Sequence, residues 1–354
     1  MKAQVFYEPE KMDLTDVDDP SAGPDDVIVA VKACGICGSD VAYYFGDASL
    51  ETEDGKGPCV LGHEFSGEVV EVGDVPESLG LFAPGDRVTV DPVQYCNACE
   101  VCKSGHPNLC ENKAVLGVST DGGFAELCKS HYTGVHKLPD NVSFEAGAFC
   151  EPTACAVYGT QNLNVQRGNT VVLFGAGPIG LVMQQLIQAG GAGCTVVVET
   201  LDYRLDVAKG LGASVLLNPA ESDSPYYCED LKAKIEEMTD GRFADRAICA
   251  TSALPAMEAA LDVTGRASTI VYFGLPGDED RLRVPVLDSI LWDKTVRFSW
   301  LAPNTWPAAI NALATGLVDV EPLTSAKHDL ADLIPALQAV KDRSSQPMKD
   351  LVVP

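Results

Sequence analysis

The chain has 354 residues, 46% of them hydrophobic and 21% charged, which is enough for two domains with their own cores, and no run reaches the roughly 18 apolar residues of a membrane span. Its 51 acidic side chains outnumber 25 basic ones, and a formal charge of −26 repels phosphate backbones, so neither nucleic acid nor a membrane is an expected partner. Thirteen cysteines, several in apolar strand-like runs, read as free thiols of a reducing compartment and not as a disulfide framework.

The opening Met1-Lys2-Ala3-Gln4-Val5 enters a strand-like pattern without a signal peptide's apolar core, which predicts a cytoplasmic location. Residues 1 to 155 read as all-β: short β-branched runs at 27–31, 67–72 and 87–90 alternate with Gly, Pro and Asp turn signals such as Ala83-Pro84-Gly85-Asp86. A lobe at about 92–113 interrupts them. It carries Cys96, Cys99, Cys102 and Cys110 in a C-x2-C-x2-C-x7-C spacing, which can wrap four thiolates around one tetrahedral Zn²⁺ and leave no open position for chemistry.

From 156 to 293 the rhythm changes to strand–helix alternation, the pattern of a doubly wound parallel sheet. The buried strand 170–174 feeds the glycine turn Gly175-Ala176-Gly177-Pro178-Ile179-Gly180, and a helical run follows. The first glycine permits the tight turn, the second lets backbone approach a pyrophosphate, and the third allows close helix–strand packing. Glu199 ends the next strand, where a carboxylate can accept hydrogen bonds from ribose hydroxyls and repel a 2′-phosphate; NAD is expected over NADP. Arg204, five residues on, is counted with the cofactor-binding residues. A strand-like run at 295–299 and helical segments near 306–315 and 330–341 form a tail, 294–354, expected to rejoin the first domain.

Two further residues suit an open metal site: Cys37, in Cys34-Gly35-Ile36-Cys37-Gly38-Ser39-Asp40, and His63, in Leu61-Gly62-His63-Glu64. Taken alone, a cysteine and a histidine this far apart are more often core side chains than ligands. The other histidines, His106, His131, His136 and His328, read as surface or structural.

Together these segments, with Cys150-Glu151-Pro152 and Asn304-Thr305-Trp306-Pro307, resemble the zinc-containing medium-chain alcohol dehydrogenases, and within them the sorbitol (polyol) and butanediol dehydrogenase branch. The resemblance implies a GroES-like catalytic barrel domain, 1–155 with 294–354, and a Rossmann domain, 156–293. It implies one catalytic and one structural zinc, and a small neutral hydroxylated substrate oxidised at a secondary alcohol with NAD. A vicinal-diol or hydroxyketone (butanediol-type) enzyme, or a threonine-type one, is the alternative. A homotetramer or homodimer is expected. Carried over, Cys37 and His63 are zinc ligands, Glu64 is a third ligand or binds through water, and Glu151 occupies the place where other members have a ligand cysteine. Cys150 is a lesser rival. Asp40 orients the histidine, Ser39 passes the alcohol proton onward, and Tyr43 touches substrate. Sorbitol dehydrogenases place Arg-Tyr-Cys just before Asn-Thr-Trp-Pro, and here Leu301, Ala302 and Pro303 stand instead. Two polar anchors have become apolar, which puts a multiply hydroxylated substrate in doubt.

Overall fold

In a computed structural model, which describes residues 1–344 and 346–354, the β-branched runs of the N-terminal third pair into an antiparallel barrel-like sheet. Its centre is the strand Asp26–Gly35, bonded to Glu64–Val72, Leu127–His131 and Lys349–Val353. Val27, Ile28 and Val29 are all buried, so this strand is covered on both faces, and Phe6, Phe65 and Phe124 fill the space around it. Arg87–Val90, Val135–Lys137 and Thr324–Asp329 extend the sheet outward. The all-β expectation misses short helices, among them Gly38–Phe45 and Phe144–Ala148. The first of these starts where it does because the Asp40 carboxylate accepts from the Cys37 N–H at 2.8 Å, satisfying a backbone donor that the helix leaves free.

The chain divides into two units. One comprises Met1–Ala154, Pro303–Gly316 and Val320–Pro354; the other comprises Cys155–Ala302 and Leu317–Asp319. Residues 294–302 thus belong with the second unit and not with the tail. The reason is hydrogen bonding: Thr295–Phe298 pairs in parallel with Thr264–Tyr272 as the last strand of the second unit's sheet.

That sheet is parallel throughout, in the order Val215–Leu217, Cys194–Val198, Thr170–Phe174, Ala244–Cys249, Thr264–Tyr272, Thr295–Phe298. The order runs outward both ways from Thr170–Phe174, so the doubly wound reading holds, with a crevice at the strand ends where the order reverses. Val172, Leu173, Val196 and Val197 have no exposure, as parallel strands covered by helices on both faces require. Among the described residues, no helix is long and apolar enough to cross a membrane.

Candidate active site

The cysteine lobe is clamped at its base by a two-stranded ladder, with Val93 opposite Val115 and Gln94 opposite Ala114. Between these strands Cys96, Cys99, Cys102 and Cys110 bring their sulfurs within 4.8 Å of one another. Cys96 and Cys102 stand 4.0 Å apart and Cys99 and Cys110 3.9 Å apart. Four sulfurs at zinc–sulfur bond length from a tetrahedral centre are about 3.8 Å apart, so this cage fits the structural ion. The amides of Ala98 and Cys99 donate to the Cys96 sulfur and lower its pKa to about 6, which favours the thiolate a metal needs.

A second group forms from distant segments. Cys37 precedes the helix Gly38–Phe45, and Glu64 opens the strand Glu64–Val72, with His63 just before it. One ligand atom from each of Cys37, His63 and Glu64 lies within 4.8 Å of the others. Asp40, with no exposure, ties the two segments together. Its Oδ2 accepts from the Cys37 N–H, its Oδ1 from the Gly62 N–H at 3.3 Å, and the same Oδ1 faces His63 Nδ1 at 3.5 Å. Burial lowers the His63 pKa, but Asp40 and then Cys37 outweigh it and hold it well above the usual histidine range. A buried imidazole between a carboxylate and a thiol is a donor set that suits a zinc ion. Gly62 sits at φ +89, and a Cβ there would meet Cys34 and Phe124 at 2.9 Å. Cys34 is thus a packing residue and belongs to neither cysteine group.

Around this group, Ser39 is half-buried on the first helical turn, and Tyr43, on the same helix, feels the charges of His63, Asp40 and Cys37. Glu151, in the first turn of the helix Cys150–Leu163, is half-buried and lies outside the three-residue group. Cys150 is fully buried, burial pushes its thiol up to about 12, and it lies outside the three-residue group. Two residues escaped the reading of the sequence. Lys349 donates to both oxygens of Glu64, at 2.6 and 2.8 Å. Burial lowers its pKa, yet Glu64 raises it above the ordinary lysine range. Asp91, whose carboxyl burial pushes up to about 8, feels the charge of Glu151. Asp91 carries the signal of a carboxylate set between Val90 and Pro92, whereas Lys349, between Met348 and Asp350, carries none.

In the second unit the strand Thr170–Phe174 runs into the glycine turn and the helix Pro178–Ala189 begins at once. Gly175 has φ +94, and a Cβ on Gly180 would lie 2.1 Å from the Gly175 carbonyl, so the turn requires glycine at both places. Gly177 precedes the helix, with Pro178 and Ile179 in its first turn. Glu199 is engaged by the turn itself. Its Oε2 accepts from the Ala176 N–H at 2.8 Å, and its Oε1 accepts from the Thr200 and Leu201 amides. Arg204 stands 3.7 Å from the same carboxylate and 3.8 Å from where a Cβ on Gly177 would be. With the Thr200 hydroxyl also donating to Oε1, Glu199 braces the turn through four hydrogen bonds.

Comparison with known proteins bears on both units. Residues 23–140 match the alcohol dehydrogenase GroES-like domain and residues 178–315 the zinc-binding dehydrogenase domain. Sorbitol dehydrogenase of Bacillus subtilis is 32% identical over 360 residues, covering 100% of this chain and 97% of that protein. The chain belongs to the zinc-containing medium-chain alcohol dehydrogenase family. Among solved structures, 2R,3R-butanediol dehydrogenase from Bacillus subtilis superposes with a TM-score of 0.88 at 31% identity, over 100% of this chain and 99% of that one. An Escherichia coli alcohol dehydrogenase complexed with NADH gives 0.89 at 30% identity, and a Sinorhizobium meliloti zinc-binding dehydrogenase bound to NADP gives 0.87 at 28%; each match covers 100% of this chain and 99% of the other. This member of the family is an oxidoreductase.

Proposed function

We propose that the protein oxidises a secondary alcohol of a small neutral polyol or sugar to a ketone with NAD, using a zinc ion held by Cys37 and His63. The observation that carries this reading is the convergence of Cys37, His63 and Glu64 within 4.8 Å in a member of a zinc-binding dehydrogenase family. When bound, zinc supplies Lewis acidity at the alcohol oxygen and the nicotinamide accepts a hydride. The chain's own residues do the rest. Cys37 and His63 hold the ion, and Asp40 fixes the ring of His63 by facing Nδ1, leaving the other nitrogen to the metal. Ser39 takes the alcohol proton onward, and Tyr43 borders the substrate. The four cysteines of the lobe hold a second, structural zinc.

Gly175, Gly177, Pro178, Ile179 and Gly180 cradle the pyrophosphate, with the helix start supplying donors. The Glu199 carboxylate, almost fully buried beside this turn, supports NAD over NADP because a 2′-phosphate would meet its charge. Apolar Leu301 and Ala302 favour a substrate with few hydroxyls, so a vicinal diol of the butanediol kind is the second reading.

A homo-oligomer is supported by the helix Val286–Leu291, which buries none of its residues and leaves Leu287, Ile290 and Leu291 more than 60% exposed. The edge strand Thr295–Phe298 beside it is exposed throughout, Phe298 by 76%. Light scattering at the mass of one chain would remove that part. None of the thirteen cysteines is in a disulfide, which supports a cytoplasmic location.

Initial rates with NAD and NADP against neutral polyols, sugars, diols and amino alcohols test the function. The expected result is NAD-dependent oxidation of a polyol or diol by protein containing about two zinc ions per chain. Full activity after exhaustive chelation, or preference for an amino alcohol, would overturn it.

A further inference from the structure

A polyol reacts at one carbon, and its remaining hydroxyls need partners of their own in a site that excludes water. Leu301 and Ala302 have no polar side chain to give them. The first unit holds an ion pair that does. After the helix Gly38–Phe45 the chain turns at Gly46, φ +78, and the amides of Asp47 and Ala48 donate back to the Ala42 carbonyl at 2.8 and 3.2 Å. Leu50 is 5% exposed and joins the core cluster that contains Tyr44, while its N–H donates to the Gly55 carbonyl at 3.2 Å. Residues 47–55 therefore close into a strap against the helix that carries Tyr43. From this strap Glu51 meets Lys113 at 3.3 Å. The lysine belongs to a separate segment, where the cysteine lobe rejoins its ladder, because the next residue, Ala114, stands opposite Gln94.

The pair differs from the ion pairs of the surface. Lys113 is 21% exposed, whereas Lys11, Lys56, Lys129 and Lys137 in surface pairs are more than 50% exposed. A freely exposed pair contributes little, but a lysine held this far out of water is already oriented for a ligand. The Tyr43 hydroxyl feels the charges of His63, Asp40 and Cys37 and also that of Glu51, which puts the pair on the tyrosine's side of the site. Among the described residues one contact joins the two groups, so three ammonium donors and two carboxylate oxygens keep capacity for hydroxyls.

We infer that Glu51 and Lys113 are specificity-determining residues that hydrogen-bond the hydroxyls of a polyol beyond its reacting carbon. Each hydroxyl both donates and accepts, so an adjacent acceptor and donor match a run of them. The two charges cancel, which suits a neutral chain better than an anion. A butanediol, with both hydroxyls at the reacting end, has none left for the pair. The inference rests on the reading that Cys37 and His63 hold zinc at the alcohol oxygen.

The test is steady-state oxidation with NAD by the purified zinc-loaded enzyme, with a hexitol and a vicinal butanediol as the two probes. Glu51→Gln and Lys113→Met are each expected to raise KM for the hexitol with little change in its kcat. The ratio of kcat/KM for hexitol over butanediol then falls about tenfold, as loss of one charge-assisted hydrogen bond requires. Lys113→Arg keeps the cation and holds the ratio within about twofold of wild type. An equal loss with both probes would make the pair structural, and an unchanged ratio would make it an ordinary surface contact; either overturns the inference. So does a wild type that prefers the butanediol. A hexitol phosphate favoured by wild type, lost with Lys113→Met and improved by Glu51→Gln, would mean that the lysine serves an anion and would overturn it too. Should Lys113→Met lose zinc from the neighbouring lobe, Glu51→Gln and Lys113→Arg still decide. Wild-type protein that oxidises neither probe and carries zinc only in the lobe would instead remove the reading on which the inference stands.

Discussion

The two cysteine-bearing groups of the first unit differ in how they are assembled. The lobe draws its four sulfurs from one stretch of fifteen residues, Cys96 to Cys110, held by local turns and a short ladder. The group around Cys37 draws on segments at 35–40, 62–64 and 349, and the bond between Lys349 and Glu64 spans 285 positions. A local cage has its ligand number set by spacing and is closed to substrate. A dispersed one depends on sheet register, on a buried carboxylate shared between segments, and on a countercharge from the far end of the chain. The two groups are thus built by different means in one unit.

Mutating one ligand in each group sets the two apart most sharply. Cys37→Ser is expected to lower kcat about 10³-fold or more, the several kcal/mol of Lewis-acid stabilisation, with the dissociation constant for NAD unchanged. Cys102→Ser is expected to lower bound zinc by about one per chain and open the lobe to proteolysis near Lys103, with kcat reduced less than about tenfold because the opening is local. Kinetics, metal analysis and limited digestion read both. If Cys102→Ser proved as damaging to turnover as Cys37→Ser, the division into structural and catalytic groups would fail.

How far each group was legible follows from the same contrast. The C-x2-C-x2-C-x7-C spacing carries its geometry with it, and so does the strand–turn–helix around Gly175, because both are short-range. Cys37 and His63 did not declare themselves by spacing and were singled out only through family resemblance. Lys349 went unremarked since its meaning lies in a strand pairing, Leu351 with Gly35, that no local pattern encodes. Glu199 was read as a ribose acceptor, and the amides of Ala176, Thr200 and Leu201 that it also binds come into view only when the turn is folded. Residues 294–302 were assigned to the wrong unit for a similar reason: a strand-like run does not say which sheet it joins.

Asp40 is the point at which the dispersed group is held together, and it offers the next largest effect. Asp40→Asn keeps the shape but cannot accept from Cys37 and Gly62 and also face His63 with full charge. Metal affinity and kcat are expected to fall about 10- to 100-fold, as for other outer partners of a ligand histidine. The lobe should keep its zinc, so metal titration should show one weakened and one unaffected site. Equal weakening of both would indicate general destabilisation and remove the assigned role of Asp40.

The smallest expected effects separate glycines kept for space from glycines kept for conformation. Gly35 has an ordinary backbone, but an added Cβ would strike Glu64 Oε2, and that oxygen cannot swing aside without breaking its bond to Lys349. Gly105, in the lobe, has φ +89 and open space around it. Gly35→Ala is therefore expected to lower kcat by about tenfold through displacement of the carboxylate and to lower the melting temperature as well, because a buried ion pair is parted. Gly105→Ala should cost about 1–2 kcal/mol of backbone strain, read as a lower melting temperature or earlier proteolysis of the lobe, with kcat at the wild-type level. Activity lost at Gly105 would mean that the shape of the lobe matters to catalysis, and wild-type activity and stability in Gly35→Ala would mean that the Glu64 pocket tolerates a methyl group, contrary to the contact at 2.3 Å.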